Sequence, residues 1–108
     1  MIAARIYKTK SGGVYGFKIE NHGTGIVCAA VSILALNAVN SVERFTDDEI
    51  ICDCDASGGY LFFIHPALKK GLPSESASLL LNSLVLGLDG IYESYENEIT
   101  IFTEVDDD

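Results

Sequence analysis

Three residues in the first third of the chain have side chains that could perform nucleophilic chemistry together. Cys28 and Ser32 stand four positions apart in an apolar segment, and His22 precedes them across a turn that contains glycine. Residues four apart lie on one face of an α-helix. A thiol in the first turn of a helix sits near the positive end of the helix dipole, which favours the thiolate. With a histidine within reach, that thiolate could act as a nucleophile.

Each of these residues also has an ordinary structural interpretation. A free cysteine in an apolar helix is commonly a small buried side chain, and a histidine in a turn is commonly solvated. Ser32 could donate a hydrogen bond back to the carbonyl of Cys28. The short spacing between His22 and Cys28 does not by itself decide between these interpretations, because a nucleophilic cysteine usually meets its histidine through the fold.

Other residue types that could hold a metal or a phosphate are present, but their spacing is weak. Cys52 and Cys54 share one face of a strand without a second pair at zinc spacing, so we expect both to be core residues. His65 stands before a proline, and we expect it to end a strand rather than to act as a ligand or base. Gly23 and Gly25 are too few for a phosphate-binding loop. We therefore expect neither a metal nor a cofactor.

The sequence around the candidate nucleophile predicts the elements that hold it. Alternation of apolar residues predicts strands over 2–8 and 14–20, joined by a Ser-Gly-Gly turn. Residues 25–43 are apolar almost all round, which indicates a helix covered on most sides by a second helix or a subunit partner. Thr24 could cap this helix, because its hydroxyl could accept a backbone N–H.

The second half of the chain repeats the pattern of two strands and a helix. Strands are expected over 49–55 and 60–65, the latter interior because it is almost continuously apolar. A loop with one turn then leads to a helix over 75–95, capped by Ser74, and to a strand over 99–103. In this helix Gly87 and Gly90 would permit close approach of the first helix or of a partner.

These elements predict an α+β fold with the order ββαββαβ. We expect one domain over residues 1–105, with a mixed sheet of about five strands and two main helices, followed by a solvated acidic tail over residues 106–108. A chain of 108 residues is long enough to bury a core of its own.

Charge and composition narrow the classes of partner. The net charge is −9 and no basic cluster appears in the sequence, which argues against direct nucleic-acid binding and favours a basic protein or peptide partner. The apolar stretches are interrupted and look too short to cross a bilayer, and no secretory leader is visible. Three cysteines, an odd number, indicate free thiols in a reducing cytoplasm.

Residues 26–32, Ile-Val-Cys-Ala-Ala-Val-Ser, following His22, resemble the signature of the ribosomal-processing cysteine proteases. The resemblance extends to the opening hairpin, to Asn37-Ala-Val-Asn40 and to the glycine- and tyrosine-containing segment at 87–95. It spans nearly the whole chain. It implies a cytoplasmic αβ homodimer that removes the N-terminal extension of a basic large-subunit ribosomal protein.

The same resemblance implies roles for individual residues. Cys28 would be the nucleophile, His22 the general base and Ser32 a supporting residue. The segment between the histidine and the cysteine borders the substrate groove in this family. Gly23 and Gly25 in this segment, with Asn21 directly before the histidine, would contact the substrate.

Two departures from the family pattern support a different hypothesis. The family has a glycine where Asn21 stands, and its longer loop after the histidine ends in an aspartate where Gly25 stands. A shortened relative could bind a ribosomal protein or peptide without cutting it. A third hypothesis is a structural dimer with a buried Cys28, which predicts no alkylation of this thiol until the protein unfolds.

Overall fold

A computed structural model describes residues 1–20, 25–55 and 59–106. It contains the predicted strands and two long helices, and the loop that precedes the last helix contains one helical turn, as expected. The α+β class with a mixed five-stranded sheet is confirmed. The elements are β1 (Ile2–Lys8), β2 (Val14–Glu20), α1 (Ile26–Phe45), β3 (Ile51–Cys54), β4 (Tyr60–Ile64), α2 (Pro66–Lys69), α3 (Glu75–Ser94) and β5 (Ile99–Val105).

The strands lie in the order β3-β4-β2-β1-β5. β1 runs parallel to β5, and the pairs β1–β2, β2–β4 and β3–β4 are antiparallel. β4 is interior, as its apolar sequence predicts. The register sets Ala4 opposite Ile19 and Ile6 opposite Phe17, so these buried side chains share one face of the sheet. They form one core with the buried residues of α1 and α3, and the two helices therefore cover this face.

α1 is the long helix of the core. By length and composition alone its 20 residues would suffice to cross a membrane, which corrects the expectation that the apolar stretches are too short. Here the helix packs against α3 and the sheet. Its ends differ slightly from the predicted 25–43, because helix ends are poorly specified by periodicity. Its buried residues are Val27, Val31, Ala35, Ala38, Val39 and Val42.

The prediction that Cys52 and Cys54 are core residues is wrong. Both side chains are exposed. β3 pairs only with β4 at the edge of the sheet, and all four of its residues are exposed. Asp106 also differs from expectation, because its carboxylate accepts a hydrogen bond from the Tyr15 hydroxyl at 2.6 Å instead of being solvated.

Gly16 allows β2 and β4 to approach closely. A Cβ atom at this position would meet the carbonyl oxygen of Phe63 and would lie 2.8 Å from Cδ1 of Ile64. The carbonyl cannot move without disturbing the β2–β4 pairing, so Gly16→Ala is expected to lower the free energy of unfolding by about 2 kcal/mol. Urea denaturation followed by circular dichroism measures this. Gly13→Ala is the control, since a Cβ there meets only Thr9 Oγ1 at an ordinary 3.5 Å. Equal stabilities of the two variants would contradict the prediction.

Gly87 and Gly90 in α3 form a matched pair for testing the α1–α3 contact. A Cβ at Gly87 would lie 2.9 Å from Cδ1 of Leu34 in α1, whereas a Cβ at Gly90 would enter open space. Gly90→Ala should therefore stabilise the protein by about 1 kcal/mol, the helix-propensity difference between the two residues. Gly87→Ala should gain less or lose stability, because Leu34 must move. Thermal unfolding of both variants decides this, and equal gains would contradict close packing at Gly87.

Candidate active site

The first turn of α1 holds the candidate nucleophile. Gly25 is the N-cap residue, with a φ of +89°, a conformation that glycine adopts without a Cβ penalty. Thr24, which the sequence suggests for this position, lies outside the described residues. Cys28 is the third residue of the helix, in its first turn as predicted, and its side chain is half-buried.

The burial pattern places Cys28 at the boundary between core and solvent. Val27 and Val31 are buried beneath the helix, whereas Ile26 and Ala29 are exposed. Cys28 and Ser32, one turn apart, are both half-buried between these two faces. A nucleophile needs this combination, because core packing holds its helix while its side chain stays within reach of a substrate.

The helix end is electrostatically suited to negative charge. The first helical hydrogen bond runs from the Ala29 N–H to the Gly25 carbonyl at 3.2 Å. The N–H groups of Ile26 and Val27 precede that bond and lie outside the intrahelical ladder. α1 has no acidic residue in its first turn, so no side chain there offsets the positive end of the dipole. A developing oxyanion beside Cys28 could be stabilised here.

Three of the predicted site residues lie outside the described part of the chain. His22, Asn21 and Gly23 belong to the segment between β2 and α1. The pairing of His22 with Cys28 and the substrate contacts of Asn21 and Gly23 therefore stay predictions. Gly25, the third residue with a predicted role at the groove, is described by the structure and is exposed at the start of α1.

His65, the other histidine in the sequence, has a structural role. It is fully buried directly after β4, which confirms the expected strand-end position. Its Nδ1 accepts a hydrogen bond from the Leu68 N–H at 3.1 Å and thereby caps α2, and its Nε2 lies 2.8 Å from Oδ2 of Asp48. Nδ1 can accept only when it carries no proton, so Nε2 donates to the carboxylate. Both ring nitrogens are engaged, which leaves neither for proton transfer.

Asp48 links this histidine to the start of α3. Ser74 is the N-cap residue of α3, as predicted, but its hydroxyl donates to Oδ2 of Asp48 at 2.5 Å and makes no capping bond to its own helix. This hydrogen bond, followed by that of His65, lowers the pKa of Asp48 below its ordinary value. Sequence reasoning missed the network. The one available signal was a histidine directly before Pro66, at the N-cap position of a short helix.

The lowered pKa of Asp48 makes a prediction about acid stability. A carboxylate with a lower pKa in the folded protein contributes stability that is present above the unfolded value of 3.8 and is lost as the pH falls through the folded value. At neutral pH, Asp48→Asn should therefore be less stable than the wild type. As the pH falls from about 5 to about 2, the stability of Asp48→Asn should decrease less than that of the wild type. Urea unfolding across this range measures the difference. Asp47→Asn, at the exposed neighbouring position, is the control. A constant gap between Asp48→Asn and the wild type at every pH would contradict the prediction.

Within the ranges that the structure describes, no group of three His, Cys, Asp or Glu side chains is placed to hold a metal ion.

Comparison with known proteins identifies similar chains over nearly the whole length. The family model for cysteine protease Prp matches residues 1–100. The ribosomal processing cysteine protease Prp of Bacillus subtilis strain 168 is 27% identical over 111 residues, which cover 97% of this chain and 99% of that protein.

Solved structures with the same fold include two from different bacteria. Prp from S. aureus, crystallised with a covalently linked product peptide, matches with a TM-score of 0.87 at 24% identity, covering 96% of this chain and 100% of that one. A protein from Streptococcus mutans matches with a TM-score of 0.83 at 28% identity, covering 98% of this chain and 96% of that one.

Proposed function

This chain belongs to the Prp family of cysteine proteases, and on that basis we propose that it is a cysteine endopeptidase with Cys28 as its nucleophile. The observation that carries the proposal is the position of Cys28. It is half-buried in the first turn of a helix whose N-terminal end has no acidic side chain. That position places the thiol beside backbone N–H groups that lie outside the intrahelical ladder and keeps it accessible from solvent.

The proposed reaction has two steps. The Cys28 thiolate attacks the scissile carbonyl, and the N–H groups at the start of α1 stabilise the tetrahedral oxyanion. The imidazolium of His22 then donates its proton to the leaving amine as the C–N bond breaks, which leaves a thioester. Water, deprotonated by the neutral His22, attacks the thioester and restores the thiol. Ser32 supports this pair from the next turn of α1.

His22 is proposed as the base partly because the alternative is unsuitable. The sequence has two histidines, and His65 is buried with both ring nitrogens hydrogen-bonded. In the sequence, His22 stands in the short segment between β2 and α1, six residues before Cys28. Asn21, Gly23 and Gly25, which flank His22 in this segment, are proposed to border the bound peptide.

The proposed substrate is the N-terminal extension of a large-subunit ribosomal protein, cut in the bacterial cytoplasm during ribosome maturation. The B. subtilis relative is named for ribosomal processing, and S. aureus Prp has been crystallised with a substrate peptide. Charge supports the same choice, because ribosomal proteins are basic and this chain has a net charge of −9.

We also propose a homodimer. The outward faces of the two long helices carry large apolar side chains, among them Ile33 of α1 and Leu79 and Leu86 of α3, at least 68% exposed. Exposed apolar patches of this kind are typical of interaction surfaces. A two-fold interface would bury the same surface on both copies.

Intact-mass analysis of a ribosomal-protein precursor incubated with the purified protein tests the activity. One cut should give two products whose masses add up to that of the precursor plus one water. The same protein lacking the extension should stay intact. An uncut precursor would contradict the proposed protease activity.

A binding module without catalysis is the second candidate, favoured by the short segment between His22 and Cys28. It predicts an intact precursor that co-elutes with the protein on size-exclusion chromatography. A precursor that is neither cut nor bound would contradict both candidates.

A further inference from the structure

A cavity lined by lysines lies at the end of the sheet remote from Cys28. Its volume is about 590 Å³, and it is bordered by Thr9, Lys10, Lys69, Lys70 and Asp106. The sequence shows no basic cluster because the contributing segments are distant along the chain. The turn after β1 supplies Lys10, and the end of α2 supplies the other two lysines.

The charge of this cavity is opposite to that of the whole chain. Three ammonium groups face one carboxylate, in a protein with a net charge of −9. Among the residues that the structure describes, none of the three lysines has a carboxylate at ion-pair distance, whereas Arg5 and Lys18 on the open face of the sheet both pair with Glu20. The lysines outnumber the single lining carboxylate, so the cavity carries a net positive charge, and an anion between them would lower the energy of the site.

The wall of the cavity is held in place by buried contacts. The hydroxyl of Tyr15, whose side chain is buried, donates to the Asp106 carboxylate at 2.6 Å, and the Asp106 N–H donates to the Lys8 carbonyl at 3.0 Å. Burial, followed by this hydrogen bond, raises the pKa of Tyr15, so the phenol stays protonated as a donor. Nζ of Lys69 lies 5.7 Å from the centre of the Tyr15 ring. Tyr15 thus fixes the position of one carboxylate oxygen of Asp106, and the three lysines line the cavity beside it.

We propose that this cavity binds a compact phosphate-bearing anion, between inorganic phosphate and a nucleotide in size. Lysine ammonium groups act as point charges that suit phosphate, whereas planar two-point recognition of carboxylates favours arginine. The volume lies within the range of roughly 300–1,000 Å³ found for small-ligand pockets. An RNA strand would extend beyond the three lysines, and the net charge of −9 disfavours its binding.

This site is separate from the proposed protease chemistry. β2 begins beside the cavity, at the turn that holds Lys10, and its far end leads into α1 and Cys28. Seven residues of strand put roughly 20 Å between the two ends. Binding at the cavity can therefore be measured without any cleavage assay, and its outcome is independent of the proposed function.

Titration calorimetry of the full chain in phosphate-free buffer at low salt tests the proposal. Inorganic phosphate, pyrophosphate and ATP are the three probes. We expect saturable binding that weakens as salt is added, and amide shifts in NMR spectra that centre on residues 9–10 and 69–70. Tighter binding of ATP than of pyrophosphate would identify a nucleotide as the source of the phosphate. Equal binding would identify a free phosphate or polyphosphate.

Charge-removing variants locate the site. Changing Lys10, Lys69 and Lys70 together to glutamine should weaken binding roughly 30-fold, at roughly threefold for each lysine. Lys18→Gln removes one positive charge on the open face of the sheet, as each single lysine substitution does at the cavity, and should leave the affinity unchanged. Absence of binding for all three anions at millimolar concentration would overturn the proposal. Wild-type affinity in the triple variant, or tighter binding of an RNA oligonucleotide than of ATP, would also overturn it.

Discussion

Replacing Cys28 with alanine is expected to abolish cleavage of the precursor while leaving the fold unchanged. The thiol supplies the bond-forming atom, so its loss should lower the rate roughly 10⁴-fold or more. Alanine is the best helix former, and Cys28 is only half-buried, so α1 should keep its packing. Intact-mass measurement of cleavage and thermal unfolding of the same samples check both halves. Cys52→Ala and Cys54→Ala are the controls, because these exposed thiols lie on β3.

Alkylation distinguishes a reactive Cys28 from a merely buried one. Iodoacetamide should modify Cys28 in the folded protein before the other thiols, and a substrate peptide should slow that modification. Desolvation by the neighbouring atoms, followed by the charge of Cys54, raises the pKa of Cys52, which leaves this thiol with less thiolate at neutral pH. Modification of Cys28 only after unfolding would support the structural dimer.

In the cleavage assay, full activity of the Cys28→Ala variant would exclude Cys28 as the nucleophile.

Local periodicity was sufficient for most of the architecture. Alternating apolar residues in 2–8 and 14–20 predicted β1 and β2 with their observed ends, because each strand has one face in the core. The prediction for β3 was too long and wrongly buried. Alternation in Ile50, Cys52 and Cys54 looks the same for an edge strand as for an interior one, and only the position of β3 beside β4 decides exposure.

The candidate site was predictable where it depends on neighbours in sequence and not where it depends on distant ones. The first-turn position of Cys28 follows from the onset of an apolar segment after Gly25. The contacts of Asp48 join residues 17 and 26 positions away, so no local pattern announces them. The lysine-lined cavity was unpredictable for the same reason, because its lining residues come from segments that are distant in the sequence. Long-range polar contacts need the folded topology, which the sequence pattern specifies only in outline.

The second prediction with a large effect compares substitutions of the two histidines. Substitution of one should reduce stability, and substitution of the other should reduce the cleavage rate. His65→Leu keeps an apolar side chain in the buried position but leaves the Leu68 N–H and one hydrogen-bonding site of Asp48 without their partner. The cost of unsatisfied groups predicts a loss of about 3 kcal/mol in the free energy of unfolding. In a domain of this size that lowers the melting temperature by roughly 15 °C. His65→Asn should recover part of the loss, because asparagine can still cap α2.

His22→Ala is the matched variant and should show the reverse behaviour. Loss of a general base and acid should lower the cleavage rate roughly 10²- to 10⁴-fold. The substitution lies in the short segment between β2 and α1, and we expect it to change the free energy of unfolding by no more than about 0.5 kcal/mol. Urea unfolding and cleavage are measured on a His65 variant and on His22→Ala. The proposal requires that the loss of stability occurs in the His65 variant and the loss of cleavage in His22→Ala. A His65→Asn variant that is stable but inactive, beside an active His22→Ala, would transfer the catalytic role to His65 and overturn the assignment made from its buried, doubly bonded ring.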